Sequence, residues 1–214
     1  METNNFEGEQ LPEPPVSIPV VGEDHPDIED VGRISDEHKK IAQQNKDRID
    51  LEILRSELLN KNEKVMTPEE VLIQLAEYCE PYMSAPIDAV MNGTFADPNH
   101  KLTIENGCVV LIRHASDSGH LVKLGKTASQ QQMHDSSEFN AGAPDSGAIH
   151  TSAEIDNMTR QYQRYPIYGE FRIPVMDFLE LGKEGKVIIG NLGESEIVIS
   201  GDVAIKYLTK IIEK

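Results

Sequence analysis

A chain of 214 residues has room for one ordinary domain and some additional material. Hydrophobic residues make up 38% and aromatics 5%, with no tryptophan, so the core has to be aliphatic and modest. A formal charge of -17 excludes the clustered Lys and Arg of a nucleic-acid or anionic-membrane surface, which leaves a protein or a small molecule as the expected partner.

Residues 1–34 are rich in Glu, Asp and Pro and carry little periodic hydrophobicity. Such a stretch cannot offset the entropy of ordering, and it reads as a disordered acidic tail. Its functional alternative is a segment for export, or for binding a chaperone or a cognate immunity protein. The stretch lacks the basic and apolar regions of a Sec signal, and no apolar run in the chain approaches a membrane span. The expected location is the cytoplasm of the producer, with delivery into a host by a specialised system left open.

Residues 35–95 read as a helical arm. Ser35 or Asp36 can cap a first helix, in which Ile41, Arg48, Leu51, Leu54 and Leu58 recur at roughly helical spacing and suggest a core-facing stripe. A second helix starts at "TPEEVLIQLAEYC": Thr67 caps it, Pro68 suits the first helical position and Glu70 completes a capping box. Cys79 and Cys108 have neither a disulfide framework nor metal-ligand spacing, and read as buried free thiols.

From residue 96 the character changes. "CVVLIRHA" is a short apolar strand, "HLVKLGKTASQQQM" a strand remnant and a helix, and "IHTSAEIDNMTRQYQRY" a strand end feeding a capped helix. "YGEFRIPVMDFLEL" reads as an edge or bulged strand around Pro174. "KVIIGN" and "EIVISG" are further strands, and "DVAIKYLTKIIEK" a strand or helix. Short strands with few helices between them imply an α+β domain with a split, mixed or antiparallel sheet over residues 96–214.

Three places in this half carry chemistry-bearing residues. Glu194 and Glu196 stand at i and i+2 where a glycine turn meets a strand, so they share a face if the strand begins there. Two neighbouring carboxylates suit a division of labour in glycosyl transfer, although an exposed Glu-x-Glu also suits a solvated edge. Arg113 follows four apolar residues and can reach from its strand into a cleft to hold phosphate, or stand in a surface ion pair. Thr151 and Ser152 precede an acidic residue and a helix, as a cap or as hydroxyls that hold a catalytic carboxylate. The remaining histidines show no metal-ligand spacing and no Gly-rich phosphate loop is present, so no metal is expected.

In order, a strand-borne Arg113, "HTS" at 150–152, the strand "EFRIPV" and a turn into "ESEIV" resemble the mono-ADP-ribosyltransferases of the Arg-Ser-Glu, clostridial-toxin-like group over roughly residues 105–205. The resemblance implies a sheet core of ADP-ribosyltransferase type that uses NAD as co-substrate to modify a protein side chain, typically arginine, in a toxin or effector. It implies that Arg113, with His114 and Ser152, binds NAD, and that Thr151 and Ser152 orient NAD and the catalytic glutamate. Glu196 is then the catalytic residue that stabilises the oxocarbenium-like sugar, and Glu194 the residue that aligns the acceptor. The family's Ser-Thr-Ser is here His150-Thr151-Ser152, and which of the three fills the central hydroxyl position stays open. Phe139, Tyr162 and Phe171 are the candidates for stacking on nicotinamide. A catalytically inactive binding module of the same fold and an NAD glycohydrolase are the alternatives.

"VVLIRHAS" also resembles the Arg-His-Gly signature of the histidine phosphatases. Ala115 replaces the glycine, Asp156 stands where a second arginine is expected, and no histidine follows His150. The groups that would hold the phosphate are therefore missing.

Overall fold

The structure, a computed structural model, describes residues 34–59, 66–79, 101–138, 146–153, 164–190 and 195–214. It is an α+β fold in which two helices precede an antiparallel sheet. The tail at 1–33 and the remainder of the arm at 80–95 lie outside the described residues.

Helix α1 spans Asp36–Leu59 and α2 spans Pro68–Cys79. The capping box of α2 forms as the sequence implies: Glu70 N–H donates to Thr67 Oγ1 at 3.2 Å, and Thr67 N–H donates to Glu70 Oε2 at 2.9 Å. Its buried face, Val71, Leu75, Ala76 and Cys79, packs on the helix that follows the fourth strand, where Gly182 gives room to Leu75.

The buried face of α1 differs from the one its leucines suggest. Leu51, Leu54 and Leu58 are more than half exposed, while Ala42 and Ile49 are buried with Ile53 beside them. Two polar residues take the inward positions between them. Asn45 Nδ2 donates to the carbonyls of Ile205 at 2.8 Å and Leu208 at 3.0 Å, and Arg48 donates to that of Lys206 at 3.0 Å. The helix face is chosen by main-chain acceptors that need donors, and a hydrophobicity count cannot see those acceptors. The buried residues of both helices belong to the same cluster as the sheet.

Among the described residues seven strands form the sheet: β1 (Thr103–Glu105), β2 (Cys108–Ala115), β3 (Ala148–Ser152), β4 (Ile167–Pro174), β5 (Val187–Ile189), β6 (Glu196–Ser200) and β7 (Leu208–Glu213). Their order is β5-β6-β3-β2-β4-β7, with β1 paired to β2, and every ladder is antiparallel. The β2–β4 ladder runs the full eight residues, Cys108 with Pro174 through Ala115 with Ile167. The opposite edge of β2 is shared. β1 occupies its first half, and β3 meets it only at Ile112↔Ser152. Thr103 N–H and Oγ1 both donate to the carbonyl of Ala153, so β1 picks up where β3 ends. Past Ile112 the two halves of the sheet part, and Arg113 stands at the opening.

Among the described residues, helices follow β2, β4 and β6. β2 leads into α3 (Ser118–Val122), a 3-10 turn at Lys123–Gly125 and α4 (Gln130–Glu138). The segment "VMDFLELGK" is α5 (Val175–Lys183), not a continuation of the strand. Pro174 ends β4 with φ of -49° and supplies the residue from which the helix starts. The C-terminal stretch is both helix and strand, α6 (Gly201–Tyr207) turning directly into β7. Burial pushes the free thiols of Cys79 and Cys108 each up to about 11, in line with inert core residues.

Two glycines set the approach of β3 and β6 to the loop before α4. A Cβ on Gly147 would stand 2.4 Å from the Lys126 carbonyl oxygen and one on Gly201 the same distance from it, while Gly201 N–H donates to Gly147 O at 2.8 Å. These neighbours are main chain and cannot turn aside. Gly147→Ala is expected to cost about 1–3 kcal/mol or more, measured as the fall in the urea midpoint. A midpoint equal to that of the native chain would mean that the loop is not held this closely.

Candidate functional site

Glu196 opens β6 and is 5% exposed. A buried carboxylate has to be ringed by donors, and two of them lie among the described residues. His150 Nδ1 lies 2.6 Å from Oε1, and Ser137 Oγ donates to Oε2 at 2.8 Å. His150 comes from the neighbouring strand, where Ser152 is the direct partner of Glu196 and His150 that of Val198. All four side chains share one face, and the glutamate leans diagonally along it to the imidazole. Ser137, fully buried in α4, closes the other side.

The third wall is a glycine. Glu196 Oε2 lies 2.0 Å from where a Cβ on Gly190 would stand, and Gly190 N–H donates to Glu196 O at 3.0 Å. Any side chain at 190 would occupy the carboxylate's place. Ser195 fixes the entry to β6 in a left-handed conformation, φ +55°. Its Oγ accepts from Lys101 N–H at 2.8 Å, and its carbonyl accepts from Ala153 N–H at 3.0 Å. The turn is therefore bound to the end of β3 before Glu196 begins the strand, which sets the height of the carboxylate.

Arg113 lies where β2 and β3 part, and its guanidinium crosses the opening to the carbonyl of His150 at 3.1 Å. One residue thus takes a hydrogen bond from the arginine through its main chain and holds the glutamate through its ring. Arg113, His150, Ser152 and Glu196 thus lie on three adjacent strands, but the Ile112↔Ser152 pairing puts Arg113 on the Thr151 face of the sheet, opposite the His150, Ser152 and Glu196 side chains, and it meets them through the His150 carbonyl.

The other sequence candidates are distributed differently. Thr151 points to the opposite face, where its Oγ1 donates to Ile197 O at 2.6 Å, so its hydroxyl serves the β3–β6 ladder and not the carboxylate. His114 projects away from Arg113 and stands beside its cross-strand partner Tyr168, ring centroids 5.6 Å apart. Phe171 is fully buried in the core, which removes it as a surface for stacking a nicotinamide. Glu194, Phe139 and Tyr162 lie outside the described residues. Among the described residues no group of three or more His, Cys, Asp or Glu could hold a metal ion, and no helix is long and apolar enough to cross a membrane.

Two members of the site were not singled out in the sequence. Ser137 sits in the polar run "QQQMHDSSE", where nothing distinguishes it from its neighbours. Gly190 ends an apolar strand, and a glycine there is the one signal that something approaches the backbone closely.

No protein-family model, no curated protein and no solved structure matches the chain.

Burial between β2 and β4, with the positive charge of Lys214 adding to it, lowers His114 to about 4 from an ordinary value of 6.5. The unfolded chain then binds more protons than the folded one between these values. The stability held by neutral His114 is present above pH 6.5 and is lost as the pH falls towards 4. His114→Gln is expected to weaken the loss of thermal midpoint across that interval. An unchanged acid limb in the variant would show that His114 does not contribute to it.

Proposed function

We propose that the chain is an NAD-dependent mono-ADP-ribosyltransferase that modifies a protein side chain, arginine being the expected acceptor. The observation that carries this is the seam between β2 and β3. An arginine, a polar strand and a glutamate at the head of its strand lie there on three neighbouring strands.

The donor set suits NAD as co-substrate. The guanidinium of Arg113 offers paired N–H groups and a fixed charge for a pyrophosphate. Glu196 is the carboxylate that would accept from a ribose hydroxyl and face positive charge growing at the anomeric carbon. Ser152 stands opposite Glu196 in the ladder and can orient the sugar. NAD brings the reactive bond itself, a glycosidic linkage whose leaving group departs as neutral nicotinamide. Glu194 aligns the acceptor. Delivery as a toxin or effector, with the N-terminal region bound by a chaperone or immunity protein, is consistent with the acidic tail.

One observation favours a second function, a catalytically inactive binding module. Both oxygens of Glu196 are engaged by the protein and the side chain is nearly buried, which a purely structural clamp between β3, β6 and α4 would also require. Nicotinamide release decides between them. The native chain incubated with NAD and a cell lysate is expected to release nicotinamide and label protein, and Glu196→Gln to lower that release by about 10²–10³-fold. No release from the native chain with any lysate leaves the binding module. Release without label leaves an NAD glycohydrolase. Glu194→Ala is expected to reduce labelling more than NAD hydrolysis, since only transfer needs an aligned acceptor. Equal losses would remove the role given to Glu194.

A further inference from the structure

Glu196 cannot easily serve as the proton acceptor of its own site. Oε1 already accepts from His150, Oε2 already accepts from Ser137, and the side chain is 5% exposed. His150 is placed differently. Its side chain is 23% exposed, Nδ1 is spent on the carboxylate, and Nε2 is not among the buried polar atoms left without a partner. Beside a carboxylate acceptor a neutral imidazole holds its proton on the nitrogen that faces it, here Nδ1, with the lone pair on Nε2. The main chain of His150 is held as well. Arg113 donates to the His150 carbonyl, and β6 pairs with β3 on its other edge. A buried carboxylate fixing the tautomer and orientation of a partly exposed histidine is the arrangement that makes an imidazole a directed base.

We propose that His150 is a catalytic residue, the general base that takes the proton from the acceptor through Nε2, with Glu196 holding it in that tautomer. The proposal rests on the transferase function above. In the step, a guanidino nitrogen of the acceptor forms a bond to the anomeric carbon. The bond from that carbon to nicotinamide breaks, its electron pair leaving with neutral nicotinamide. The proton lost by the acceptor nitrogen goes to Nε2, giving an imidazolium whose Nδ1–H stays on Glu196 until the proton passes to water. Glu194 keeps the task of aligning the acceptor. The histidine that opens "HTS" then has a task that a serine in the same place could not perform, since a hydroxyl can hold Glu196 but cannot accept a proton at neutral pH.

The test uses the full chain, NAD and a small guanidino compound as acceptor. His150→Asn keeps a side-chain N–H for Glu196 and removes Nε2. Transfer is expected to fall about 10²-fold with KM for NAD unchanged, and His150→Ala to regain activity with added imidazoles in proportion to their basicity. A His150→Asn variant that transfers at the native rate overturns the proposal and leaves His150 a donor only. Imidazole NMR of the native chain gives a reading that does not depend on any variant folding. The neutral Nδ1–H form of His150 is expected, and an Nε2–H form overturns the proposal. A native chain that releases no nicotinamide removes the transferase function itself. An active native chain with an indifferent His150→Asn removes only the base.

Discussion

A carboxylate that is buried at the head of a strand has to be given donors on every side that water has left, and much of this fold follows from meeting that need at Glu196. The imidazole must come from the adjacent strand, the hydroxyl from a helix laid across the sheet, and the strand before the turn must end in a residue with no side chain. Each of these ties a different element to β6. Loss of any one leaves an acceptor partly unsatisfied in a low-dielectric setting, which is more damaging than the value of the single hydrogen bond suggests. The polar cluster therefore specifies register: sliding β3 by one residue would turn His150 to the far face and bring Thr151 round in its place.

The divided edge of β2 is the second organising feature. β1 takes one half of this edge, β3 pairs with it at a single position, and the pairing ends beyond Ile112. There the carbonyl of His150 accepts from Arg113. A guanidinium carries five N–H donors in a fixed fork, so one residue can serve more than one acceptor.

Much of this was legible in the sequence where the signal was local. The capping box at Thr67 and Glu70, the apolar strand ending near Arg113, and the beginning of a strand at Glu196 each depend on a few consecutive residues. The failures were of two kinds. "VMDFLEL" has enough apolar residues for either period, and the proline that looked like an interruption within a strand was its end. The leucines of α1 and the hydroxyl of Ser137 depended on partners more than fifty residues away, and no pattern within the helix records those partners. Between Thr151 and His150 the sequence had no means to choose, because the face each occupies is decided by pairing with β6.

The bonds from Asn45 and Arg48 to the carbonyls at the end of α6 join residues about 160 apart in the chain. Those carbonyls belong to the place where α6 turns into β7, so a helix near one end of the fold finishes a helix near the other. Such a closure cannot form early. The entropy of bringing distant segments together is lost before these contacts return anything, which makes assembly slow and leaves β4 with an open edge until β7 docks. Under the ribosome, α1 would wait through most of the synthesis of the domain for the carbonyls that fix its orientation. Its exposed leucines and the unpaired strand would meanwhile be the surfaces most in need of protection from other chains.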